Sequence, residues 1–108
     1  MNVDLDIMRA SAAQACGLLK ALANPDRLLL LCQMAQQEAC VGELEAATGI
    51  RQPTLSQQLG ILRELELVST RREGKLIFYS IASDQAMAVM HVLYEQFCDP
   101  QRQKEKQR

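Results

Sequence analysis

Residues 51–81 read RQPTLSQQLGILRELELVSTRREGKLIFYSI, and the spacing of apolar residues changes period once within them. Leu55, Leu59 and Leu62, continued by Leu65 or Glu66, recur every three or four residues, which is a helical stripe. Thr54, Ser56, Gln57 and Gln58 crowd the early turns with hydrogen-bonding groups, so the helix sets a buried stripe against a polar face. From Leu67 the rhythm shortens to two, with β-branched and aromatic residues on either side of Arg72-Glu73-Gly74-Lys75. That pattern predicts a β-hairpin whose tip needs a glycine, with Arg71, Arg72 and Lys75 gathered there.

Upstream, Val41–Thr48 reads as a short helix that Gly49 ends by taking a left-handed conformation. Asn24-Pro25-Asp26 is a helix start: Asn caps orphan amides, Pro suits the first helical position, and Asp complements the positive end of the dipole. The helix it opens runs to about Ala35, with Leu28, Leu31, Cys32 and Ala35 on one face. Before it, Met8 to Leu22 is rich in good helix formers and apolar at Ala15, Leu18, Leu19 and Leu22. Downstream, Asp84 to about Cys98 returns to helical spacing, with Met87, Met90, His91, Tyr94, Phe97 and Cys98 on one side until Pro100 stops it. The fold expected is mainly α with a small β-hairpin: one winged helix-turn-helix domain of five helices plus a wing over 1–98. The stretch QRQKEKQR has no apolar residue, so a disordered charged tail is expected over 99–108. There is no internal repeat and no linker.

The 108 residues are 48% hydrophobic, ample for one compact core and too few for a second domain. Lys and Arg number 12 against 13 Asp and Glu, so attraction to nucleic acid cannot come from total charge. It is local instead: residues 51–75 hold five basic and three acidic side chains, whereas 1–50 are acidic on balance. The first six residues lack a basic export signal, and the longest apolar run, Leu28–Cys32, is far too short to span a bilayer. A cytoplasmic protein without membrane association is the expectation, and its four cysteines read as reduced thiols rather than structural disulfides.

Short helix, Gly-containing turn, helix with a polar amino-terminal half and basic-tipped hairpin is the order of a winged helix-turn-helix. A helix fits the major groove of double-stranded DNA, where Gln can pair with the donor and acceptor of adenine. Gln52, Thr54, Ser56, Gln57 and Gln58 are the candidate base-reading residues. Arg71, Arg72 and Lys75 are the candidate phosphate or minor-groove contacts, and such contacts make affinity depend on salt. Taken singly, polar helix faces and charged hairpin tips are solvated surface; the ordered combination is what points to operator DNA.

Over roughly Leu18 to Cys98 the chain resembles the arsenic-repressor or SmtB family. LLKALANPDRLLLLCQM matches its first two helices, VGELEAATGIRQPTLSQQLGILRELELV its helix-turn-helix and RREGKLIFYSI its wing. Arg51 departs from the pattern, since family members often carry a small capping residue there. The resemblance implies a homodimer joined through its first and last helices, acting as a repressor that an inducer releases. An Ala-rich first helix and a Met- and aromatic-bearing last one suit such an interface.

Metal-responsive relatives use a Cys-x-Cys pair at the third helix or Asp, His and Glu along the fifth. Here Gly42 replaces the second thiol, Ala86 stands where a His is expected, and Glu95 is at the wrong spacing. Neither a metal nor a cofactor is expected, and His91, the single histidine, reads as an ordinary helix or interface residue. Taken by composition alone, Cys32 reads as a packing residue. The resemblance gives Cys32 and Cys98 another role, because LLCQM and LYEQFC match a dithiol subgroup that senses reactive sulfur species or oxidants. A thiolate attacks a persulfide or oxidised thiol, and a second thiol resolves the product into a bridge between helices. Cys16 and Cys40 read as packing residues, with Cys40 the candidate accessory thiol. A metal-responsive repressor using Cys40 or Cys32 with His91 or Cys98 is the alternative within the class. Outside it stand a thiol oxidoreductase, which lacks a Cys-x-x-Cys, and a winged-helix protein-interaction module, which would not need the basic hairpin.

Overall fold

The computed structural model describes residues 1–98; the expected tail, and Pro100 with it, lie outside the described residues. In chain order the elements are α1 (Leu5–Leu22), α2 (Pro25–Gln36), β1 (Ala39–Cys40), α3 (Val41–Thr48), α4 (Thr54–Glu64), β2 (Val68–Glu73), β3 (Leu76–Ile81) and α5 (Asp84–Leu93). A π-helical turn, Tyr94–Cys98, follows α5. The five helices and the hairpin thus stand in the order read from the sequence.

Local chemistry explains the boundaries. The Asn24 side chain accepts from the Arg27 amide at 3.0 Å with Pro25 at the first helical position, and Gly49 closes α3 at φ 74°. Helix α1 begins three residues before the expected Met8, because the Asp4 carboxylate accepts from the amides of Asp6 and Ile7 at 2.9 and 3.3 Å. The last helix keeps α geometry only to Leu93 before it widens into the π turn.

Leu30, Leu31, Leu44, Leu55, Leu59, Leu62 and Met90 are the largest fully buried side chains, so the core lies where α2, α3, α4 and α5 meet. Three expected faces shift. Along α2 the buried residues are Leu30, Leu31 and Met34, while Leu28, Cys32 and Ala35 pack at the edge and Leu29 is exposed. In α1 only Ala21 and Leu22 are buried; Ala15 and Leu19 are exposed, as is every residue from Met1 to Gly17. On α5 the core-facing residues are Ala86 and Met90 with Val89 and Leu93, whereas His91, Tyr94, Phe97 and Cys98 are exposed. The stripe drawn through Met87, Met90, His91, Tyr94, Phe97 and Cys98 therefore spans two faces.

The hairpin belongs to a three-stranded antiparallel sheet of order β1-β3-β2. Val68 pairs with Ile81, Thr70 with Tyr79, Arg71 with Phe78 and Glu73 with Leu76; Gly74 takes φ 62° at the tip. On the other edge of β3, Ala39 pairs with Tyr79 and Cys40 with Phe78. This short third strand runs straight into α3, so the wing is hydrogen-bonded to the start of the helix-turn-helix.

Candidate nucleic-acid interface and thiol pair

Helix α4 buries Leu55, Leu59 and Leu62, and helical spacing turns Gln57, Gly60 and Glu64 to the opposite side. Ser56 and Arg63 flank that outward face on one side, Thr54 and Ile61 on the other. A Cβ at Gly60 would meet nothing within 4 Å, so the backbone there is bare. The candidate readers separate into three groups. Ser56 and Gln57 are exposed, and Thr54 is half-buried at the first turn. The exposed Gln52 uses its carbonyl as a cap, accepting from the Ser56 amide at 3.1 Å across the cis Gln52–Pro53 peptide. This is how the helix starts without a small capping residue at Arg51. The half-buried Gln58 presents its carbonyl to Arg27 Nη1 at 3.0 Å. Arg27 also donates to the backbone carbonyls of Ala21 and Lys20, tying the end of α1 and the start of α2 to α4.

The three hairpin cations do not form one cluster. Strand residues alternate between faces, so Arg72 shares a face with Val68 and Thr70, the side that meets the helices, while Arg71 lies on the other. Arg71 is not at the tip. Its Nε donates to the two Glu38 oxygens at 3.0 and 2.9 Å and its Nη1 to Glu73 at 2.8 Å, with the guanidinium 4.6 Å from the centre of the Phe78 ring. Arg72 donates to the Gly74 carbonyl at 3.2 Å, and Lys75 is exposed in the turn. The sequence reading missed Arg63, on the flank of the outward face, and Glu38. Helical spacing from Leu59 and Leu62 could have found the first; nothing local marks the second.

All four cysteines are unbridged; Cys16 and Cys98 are exposed, Cys32 and Cys40 half-buried. The Cys32 sulfur lies 3.8 Å from the Met90 thioether and lines an open cavity of about 400 Å³ with Ala35, Gln36, Met90, His91 and Tyr94. Burial pushes the Cys32 thiol above its ordinary value of 9.0, and the neighbouring charge of Cys98 raises it further. Helix α2 and the end of the last helix each carry one of these two thiols. Because the shift is upward, the stability it carries is complete below pH 9.0 and is lost as pH climbs through the raised value. It also sets a reactivity order, since the thiolate is the nucleophile. Iodoacetamide at pH 7 modifies Cys98 before Cys32, and the lag shortens above pH 9.0. Peptide mass spectrometry of timed samples checks this; Cys32 reacting first would contradict the burial argument. Among the described residues, no group of three or more His, Cys, Asp or Glu stands where it could hold a metal ion, and no helix is long and apolar enough to cross a membrane.

Comparison with known proteins places this geometry. Residues 24–70 match the family model described as bacterial regulatory protein, arsR family. The biofilm growth-associated repressor of Agrobacterium fabrum is 54% identical over 100 residues, covering 93% of this chain and 86% of that one. The crystal structure of the transcriptional repressor BigR from Xylella fastidiosa superposes with a TM-score of 0.85 at 45% identity, over 90% of this chain and 99% of that one. A homodimeric winged helix-turn-helix DNA-binding domain from Mycobacterium bovis, described as a possible ArsR-family regulator, gives 0.69 at 33% identity over 89% and 92%. With its winged helix-turn-helix and identity to these relatives along nearly its whole length, the chain belongs to the ArsR family of bacterial regulatory proteins.

Proposed function

We propose that this protein is a cytoplasmic transcriptional repressor that binds double-stranded operator DNA as a homodimer and releases it when reactive sulfur species or oxidants bridge Cys32 and Cys98. The observation that carries the reading is the outward face of α4, where Ser56 and Gln57 stand beside the bare backbone of Gly60. Such a surface suits the major groove, with Arg72 and Lys75 on the hairpin reaching the flanking phosphates. Gln52 caps the helix start, Gln58 seats it through Arg27 and Thr54 stands half-buried at the first turn, and these three complete the set of candidate DNA contacts.

Dimerisation follows from α1. From Leu5 to Gly17 none of its residues is buried, and Leu5, Ile7 and Met8 are exposed. A helix of that length has little stability without packing, and Val92, Tyr94 and Phe97 offer a second exposed apolar surface on the last helix. Two copies joined through these faces present two α4 helices to a palindrome.

The thiol chemistry balances in two steps. Cys98, the exposed thiol, takes the outer sulfur of an organic persulfide; the Cys98 S–S bond forms, the persulfide S–S bond breaks and the organic thiol leaves. Cys32 then attacks the Cys98 sulfur, the Cys32–Cys98 bond forms, and sulfide departs with the remaining protons. The bridge ties α2 to the last helix, and the spacing of the recognition helices changes with it.

A gel-shift assay with duplex from upstream of the protein's own gene tests the DNA reading. Gln57→Ala weakens binding to the inverted repeat by about 1–3 kcal/mol and leaves random duplex little affected, while Arg72→Gln weakens both. Equal losses on both duplexes for the two variants would remove Gln57 from base reading, and no shift by wild type at low salt would remove the function.

A further inference from the structure

We propose that Arg71 and Glu38 form a strut that fixes the wing against the helix-turn-helix, so that Arg71 is a positioning residue and not a phosphate contact. The inference rests on the DNA-binding reading above and deepens it by dividing the hairpin cations by role. It starts from the ladder. Cys40, Phe78 and Arg71 form one row across β1, β3 and β2, and this is the last row toward the tip in which β3 has a partner on both sides. Beyond it, Ile77 pairs with Arg72 and Leu76 with Glu73 in a two-stranded ribbon. Ribbons of two strands twist most readily and have little stability alone. The wing therefore hinges at the row where Arg71 sits.

Arg71 ties that row down. Its Nε and Nη2 donate to Glu38, its Nη1 to Glu73, and its plane covers Phe78. All three guanidinium nitrogens are engaged, in the fork geometry that makes Arg–carboxylate pairs directional. Glu38 immediately precedes β1, and β1 enters α3 through Cys40, whose amide donates to Glu43 at 3.0 Å. The strut thus joins β2, the first strand of the hairpin, to the backbone that begins α3, spanning β3 between them.

Charge argues in the same direction. Two carboxylates surround one guanidinium, so the cluster carries one net negative charge and offers a phosphate no attraction. The hydrogen bonds from Arg71 hold the Glu38 carboxyl below its ordinary value of 4.5, so it remains ionised throughout the neutral range. Arg72, on the opposite face, and Lys75 in the turn have no carboxylate partner in this cluster.

The test measures operator binding by fluorescence anisotropy across a potassium chloride series, with amide hydrogen exchange on the same proteins. Glu38→Gln and Arg71→Gln each weaken binding by about two- to fivefold, the range of a good exposed ion pair. The double variant is no weaker than Arg71→Gln alone, because the Glu38 pair is already lost in that single. The slope of log affinity against log salt stays at the wild-type value in all three, whereas Arg72→Gln lowers it by about one. Amides of residues 72–77 exchange faster in Glu38→Gln, and those of α4 do not. A slope lowered by about one in Arg71→Gln, or tighter binding by Glu38→Gln as a guanidinium is set free, would overturn the strut. Should wild type bind no duplex, the DNA reading fails on that result, and exchange still decides: unchanged wing amides in Glu38→Gln reject the strut, faster ones support it.

Discussion

Reduced Cys98→Ser and Cys32→Ser variants bind the operator with wild-type affinity and keep it after treatment with an organic persulfide, while wild type loses about 5–150-fold under the same treatment. That range corresponds to a coupling of about 1–3 kcal/mol between an effector site and a binding site. Intact reduced-state binding is expected because Cys98 is exposed and Cys32 sits at the core edge, so exchanging sulfur for oxygen leaves Leu30, Leu31 and Met34 in place. The release disappears for two different reasons. Without Cys98, the thiol left in the pair is the half-buried Cys32, whose ionisation is suppressed by burial. Without Cys32, Cys98 still gains a sulfur but has no partner on α2, and the persulfidated protein stays on DNA. Peptide mass spectrometry separates the cases: a gain of one sulfur on the peptide of Cys98 in Cys32→Ser, and loss of two hydrogens across the joined Cys32 and Cys98 peptides in wild type. Cys16→Ser and Cys40→Ser respond as wild type does. Full release in either Cys32→Ser or Cys98→Ser would reject the two-thiol switch and leave the DNA-binding assignment standing.

How much of this was legible in the sequence depended on whether the determining interaction was local. The carboxyl end of α3 could be read because a glycine free to adopt positive φ sits at Gly49, and the start of α2 because Asn24, Pro25 and Asp26 act within one turn. The hairpin tip was legible from Gly74 for the same reason. Strand β1 was not: two residues hold no period, and Ala39 and Cys40 become a strand only because Tyr79 and Phe78 lie beside them. Arg71 was placed at the tip with Arg72 and Lys75 because neighbours in sequence look like a cluster, yet a strand sends Arg71 and Arg72 to opposite faces. Its true partner, Glu38, is 33 residues away. Gln58 shows the complementary case. It follows Leu55 by three and precedes Leu62 by four, so helical spacing already set it beside the buried stripe, where Arg27 takes its carbonyl. The proposed pairing of Cys32 with Cys98 was carried by family resemblance, since 65 intervening positions hide any spatial relation.

Leu55→Ala lowers stability by about 2–5 kcal/mol, the range for removing a fully enclosed leucine side chain, whereas Leu65→Ala costs about 0.5 kcal/mol or less. In the sequence the two leucines belong to one stripe. The structure divides them: Leu55 is 0% exposed inside the core, and Leu65 is 49% exposed just past the end of α4. Helix geometry ends between them, because Glu66 takes φ 60° and the chain turns so that Leu67 and Val68 enter the core. The Leu55 loss is a large part of the 5–15 kcal/mol that holds a domain of this size. It falls on the first turn of α4, next to Thr54 and Ser56, so the end of the helix proposed to read bases loses its seat first. Urea unfolding at one fixed protein concentration measures both: the midpoint drops sharply for Leu55→Ala with the slope unchanged, and barely moves for Leu65→Ala. Operator affinity at 25 °C follows the folded fraction in the first case and stays at the wild-type level in the second. Equal midpoint losses would mean that Leu65 is enclosed in solution, in the groove where it lies beside Leu18 and Ala21, and would contradict the division of the stripe on which the outward direction of Ser56 and Gln57 depends.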